Sequence, residues 1–261
     1  MRRRVGMSGE RMRKRSIWRG PPAAKRGAFE EAGVLLREAV GRDGGYAGAH
    51  AVLAGWLSLR VFQGWSADRG ADMAALLAAA RTAIALDPAH GRALALLGHS
   101  LVMVEGRHDE ALRLFERAAA AAPNDPEALG WSVPTLAYAG DGRAVGRAEL
   151  ALRLTPEDPF LFRYQSWLGL AHYAAGDCEA AAAWGRRSDA SNPNYSANLR
   201  VTAAALAALG RREEAAGFVA RHRALEPGFR VSEARIATFC GVPALAGRFA
   251  RDYRAAGLMA D

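Results

Sequence analysis

Six histidines, two cysteines and 27 acidic residues are the side chains from which this 261-residue chain could build a reactive site. His50, His90, His99, His108, His172 and His222 are dispersed, and none forms the HxH or HExxH spacing that turns two imidazoles toward one metal ion. The tightest acid–base group, His108-Asp109-Glu110, falls where a helix should begin and reads as its solvated first turn. Cys178 stands between Asp177 and Glu179, whose charges disfavour a thiolate nucleophile. With Cys240 it makes neither a CxxC motif nor a disulfide framework. No G-x-S-x-G, P-loop or Rossmann glycine pattern occurs. The expectation is a non-catalytic chain with no cofactor and no metal.

The net charge of +8 would suit a nucleic-acid ligand if it were spread over a folded surface. It is not. Residues 1–26 hold ten Lys/Arg and one acid, so the remainder is close to neutral. We read 1–27 as a basic, disordered arm, with weak nucleic-acid or anionic-surface binding as its alternative role. No apolar segment follows the arginines as in a secretory signal. The longest uncharged stretch, Gly44 to Leu59, is short of the roughly 20 apolar residues of a membrane span. A reduced, cytoplasmic setting is expected.

What must position any binding residues is a repeat. Prolines close apolar segments at Pro88, Pro123, Pro156, Pro193 and Pro227, at separations of 35, 33, 37 and 34 residues. Proline stops a helix because it lacks the N–H of a continuing turn. Twelve, eight and five residues before Pro123 stand Ala111, Phe115 and Ala118, and the same offsets from Pro156 give Ala144, Ala148 and Ala151. Steps of four and three keep such residues on one helical face, where small side chains let a neighbour approach. A second helix precedes each, as in Leu94-x2-Leu97-Gly98-x2-Leu101, and Gly106, Gly140, Gly176 and Gly210 mark the turns between the two. The unit is a helix–turn–helix of about 34 residues.

The A-x3-F-x2-A…P pattern, with Leu-Gly in the preceding helix, resembles the tetratricopeptide repeat (TPR) over roughly residues 28 to 258. The resemblance implies an all-α fold, an α-α superhelix of antiparallel helix pairs across 28–228, with capping helices in 229–261. Removing Val231 to Asp261 is therefore expected to lower stability. Segments such as "VFQGWSAD" and "TPEDPFLFRYQSWLGLAHYAAGD" look like the TPR region that follows the catalytic domain of bacterial class III adenylate/guanylate cyclases, or the DNA-binding domain of winged-helix regulators. Neither catalytic nor DNA-binding sequence precedes residue 28 here. A detached regulatory region in signal transduction is the alternative expectation to a free-standing scaffold or adaptor.

The resemblance places groove-facing positions at Arg92, Ala95, His99 and Met103, then at Leu129, Val133 and Leu136. They continue at Arg163, Ser166, Leu170 and Tyr173, and at Ala197 and Arg200. The Lys/Asn/Arg set with which some family members hold a peptide carboxylate is not reproduced. The arginines suggest an acidic or amphipathic peptide or protein partner, with Met103 and Tyr173 as apolar anchors; an oligomer is a further possibility. Pro134 interrupts a helix and is expected to kink it, delay its start or widen the superhelix. Phe62 and Trp65, in a long insert, are expected to pack on adjacent helices rather than form a binding loop.

Overall fold

The computed structural model describes residues 22–62, 65–229 and 231–259. The basic arm up to residue 21 lies outside them, whereas residues 22–27, assigned to that arm from sequence, are helical. Thirteen helices form among the described residues: α1 (Pro22–Arg42), α2 (Ala47–Phe62), α3 (Arg69–Leu86), α4 (Gly91–Glu105), α5 (His108–Ala121), α6 (Pro126–Tyr138) and α7 (Arg143–Arg153). They continue with α8 (Leu161–Ala175), α9 (Cys178–Ser191), α10 (Ser196–Ala208), α11 (Arg212–Leu225), α12 (Glu233–Phe239) and α13 (Pro243–Ala256).

From α2 to α11 the helices pair antiparallel in sequence order, and each pair packs on the next. The even-numbered helices α2 to α10 lie side by side and line the concave face of an α-α superhelix. Each odd partner from α3 to α11 ends at least one residue before its closing proline. Gly106, Gly140, Gly176 and Gly210 all have positive φ, as left-handed turns after the inner helices require. Asp68, Asp125 and Asp177 cap α3, α6 and α9 by accepting backbone N–H bonds, satisfying donors that a helix start leaves open.

Ala111, Phe115 and Ala118 are buried as one face of α5, Phe115 being 1% exposed. A Cβ on Gly98 would come within 2.8 Å of the Phe115 ring, so the glycine in the Leu-Gly pair makes room for the aromatic residue of the next helix. Helix α6 starts at Pro126 and runs through Pro134, which leaves no late start. Phe62 lies 5.5 Å from the His99 ring and Trp65 packs edge-on against Phe29, so the insert is tied to the body.

The last two helices reach back along the array. Helix α13 packs on α10 and α11, while α12 crosses to α4. The turn between them donates the Gly241 N–H to the Tyr138 carbonyl at 3.1 Å. Arg248 donates to the carbonyls of Tyr173 and Ala174 at the open end of α8, at 2.6 and 2.5 Å. The Tyr173 hydroxyl donates to Asp252 at 2.7 Å. Phe239 and Phe249 sit 4.6 and 5.6 Å from the Tyr138 ring. The C-terminal segment therefore lies inside the concave face, along the C-terminal ends of the inner helices.

Candidate partner groove and cavity

The folded-back segment divides the expected groove in two. At the N-terminal ends of the inner helices, beside α1, the concave face stays open as a groove of about 500 Å³. Toward their C-terminal ends, α12 and α13 roof a cavity of about 480 Å³, with a smaller space of about 80 Å³ beside it.

The residues placed in the groove from sequence separate accordingly. Arg92 and Arg163 border the open groove. His99, Met103, Ser166 and Arg200 border the roofed part. Leu136 and Tyr173 face neither. Leu136 is packed in the core, and Tyr173, expected as a partner anchor, is 0% exposed beneath Phe249 and Asp252 of α13. Its apolar ring belongs to an internal contact.

Arg163 also differs from expectation. It is 3% exposed, and its guanidinium donates to Glu127 at 2.5 Å. It lies 4.6 Å from the Phe160 ring, 5.3 Å from Trp167 and 5.6 Å from Trp131. Glu127 accepts further bonds from the Trp131 indole at 3.0 Å and the Tyr164 hydroxyl at 3.1 Å. Burial would raise the Glu127 pKa, but Arg163, Arg92 and the donated hydrogen bonds outweigh it and hold the carboxyl below its ordinary value. Arg163 is thus the enclosed half of an ion pair rather than a free cation for a partner. Sequence reasoning passed over Glu127, although it stands four residues after Pro123 as Arg92 does after Pro88. That shared register was the available signal.

His99 joins an aromatic row across the inner helices, 5.5 Å from Phe62 and 5.8 Å from Trp131, with Trp131 5.2 Å from Trp167. Its Nδ1 lies 3.0 Å from the Thr135 hydroxyl. Burial lowers its pKa to about 4, which keeps the imidazole neutral at pH 7. Arg200 stacks 4.5 Å from Phe229 and lies 3.5 Å from Glu226.

The groups that sequence reading set aside as reactive stay apart. His108 is half-buried rather than solvated, because Gly241 closes on its ring; desolvation lowers its pKa against the opposing influence of the Thr238 backbone and Asp109. Burial raises the Cys178 thiol and pushes Cys240 up to about 12, so neither is a ready thiolate. Among the described residues no three of His, Cys, Asp and Glu gather as a metal set, and no helix is long and apolar enough to cross a membrane.

No family model and no curated protein matches this chain. Solved structures do. The type IV pilus biogenesis factor PilW superposes with a TM-score of 0.54 at 16% identity, covering 80% of this chain and 92% of that one. The APC/C hetero-tetramer Cut9–Hcn1 gives 0.59 at 14% identity, over 87% of this chain and 40% of the other. Human IFIT1, solved as a dimer with PPP-AAAA, gives 0.59 at 18% identity, over 80% and 48%. At such identities the likeness concerns backbone architecture. The chain folds as an all-α, TPR-like superhelix.

Proposed function

We propose that this chain is a non-catalytic interaction module that holds an amphipathic segment of a protein partner in its open groove. The observation that carries this reading is the groove itself, which offers apolar surface beside a balanced set of charges. Val52 is 42% exposed on its wall, and Leu36, Trp56 and Phe160 add apolar and aromatic lining. Two cations, Arg92 and Arg163, face two anions, Glu127 and Asp158. With Arg163 already neutralised by Glu127, such a surface favours an amphipathic helix or strand over a strongly acidic peptide. Its volume suits a few anchor side chains rather than a whole domain.

Capture from the native host with three forms of the chain tests this reading. The native chain and an outer-face control, Arg153→Glu, are expected to retain the same protein partner. The groove variant Val52→Glu is expected to lose it while folding normally. Identical retention by all three forms would overturn the groove assignment.

A further inference from the structure

The roofed cavity has a chemistry that the open groove lacks. Three arginines reach it from segments far apart in the chain: Arg69 at the start of α3, Arg200 in α10 and Arg235 in α12. Glu226 is the sole carboxylate among its described lining residues. Arg200 shares that carboxylate at 3.5 Å, while Arg69 donates to the Val61 carbonyl at 3.0 Å. Neither Arg69 nor Arg235 lies within 4.0 Å of a carboxylate among the described residues, so neither forms a contact ion pair there. Arg69 senses the other two: burial, then Arg235 and Arg200, lower its pKa, and Glu226 offsets only part of this. Like charges gathered by folding repel, and a bound anion relieves that repulsion.

The remaining wall is aromatic and apolar, with Tyr138, Phe239 and Tyr253 contributed from both the superhelix and its roof. A volume of about 480 Å³ is that of a small-molecule site. Planar guanidiniums bind carboxylate and phosphate oxygens in pairs, and aromatic walls take a flat apolar body. We propose that this cavity binds a small amphipathic anion, a carboxylate or phosphate monoester carried on an aromatic or apolar body. Because Arg235 belongs to α12 and Arg69 and Arg200 to the superhelix, the bound anion joins the roof to the wall. The site is separate from the open groove, so either assignment can fail without the other.

Titration calorimetry of the full chain with 1-naphthyl phosphate, 1-naphthoate and neutral 1-naphthol tests the proposal. Saturable binding of at least one anion is expected, with 1-naphthol about tenfold weaker or worse. The stronger of the two anions identifies the headgroup class. Arg235→Gln and the more exposed Arg69→Gln are each expected to weaken the preferred anion by about tenfold, whereas Arg153→Gln changes nothing. Glu226→Gln removes the competing carboxylate and is expected to tighten binding, a gain that a purely structural role for these residues would not produce. Absence of saturation with both anions, equal binding of 1-naphthol, or weaker binding in Glu226→Gln would overturn the proposal.

Discussion

The two halves of the concave face are built from the same inner helices and end in opposite states. At the N-terminal ends, Arg92 and Arg163 meet Glu127 and Asp158 from successive repeats, two charges of each sign that balance within the array. Toward the C-terminal ends, Tyr138 and Tyr173 are covered by a segment from outside the repeats, and Arg69, Arg235 and, from the first half of α10, Arg200 line one cavity that holds a single carboxylate among its described residues. A repeat can therefore neutralise its own surface where register alone brings partners together. Where a non-repeating segment folds in, it creates a partly covered and unbalanced site. The difference lies in packing between distant segments and not in the helices themselves.

That comparison is most easily broken by truncating one large ring in each part. Phe249, a 0% exposed residue of the roof helix α13, and Phe115, within the repeat body, should each cost about 3–5 kcal/mol as Phe→Ala in denaturant unfolding. If Phe249→Ala costs nothing while Phe115→Ala is severe, the roof is not a packed element. The Arg163–Glu127 pair comes next. Glu127→Gln leaves a guanidinium enclosed by rings without its counter-charge, at a cost of about 3 kcal/mol. A neutral result would mean that Arg163 reaches solvent and is available to a partner after all.

Acid should act mainly on the covered half. His99 and His222 have pKa values lowered to about 4 and about 3, the first by burial and the second by burial and then Arg200 and Arg223. Each folded-state value lies below the ordinary 6.5, so their contribution is complete above that pH. As pH falls below 6.5, the unfolded chain takes up protons that the folded chain refuses, and stability declines toward pH 4 and below. Between pH 7 and pH 5 the loss should be about 2 kcal/mol per histidine, measured by urea melts. His99→Asn should flatten that slope. The smallest effect belongs to the open half, where Val52→Glu at a 42% exposed position should move stability by less than about 0.5 kcal/mol.

The legible part of this fold is the part whose rules are local. Helix ends before Pro88, Pro123, Pro156, Pro193 and Pro227, turns at Gly106 and Gly176, and the buried face of Ala111, Phe115 and Ala118 all follow from spacing along one segment. The partition of the groove does not. Tyr173 occupies a position that would face a partner in a bare superhelix, and only the return of α13, 79 residues away, covers it. Arg163 looks like a free cation until superhelical curvature brings Glu127 beside it from 36 residues upstream. Arg69, Arg200 and Arg235 share no sequence pattern, because three separate connections bring them to one cavity.

Reactivity of Cys240 tests the account most directly, because that residue joins α12 to α13 and is 6% exposed beneath them. In a Cys178→Ser background, the native chain should react with iodoacetamide at least about 100-fold more slowly than the urea-unfolded chain, reflecting both cover and a raised thiol pKa. Modification at the unfolded rate would show that the C-terminal helices do not lie in the concave face, and the division into an open groove and a roofed cavity would fall with it.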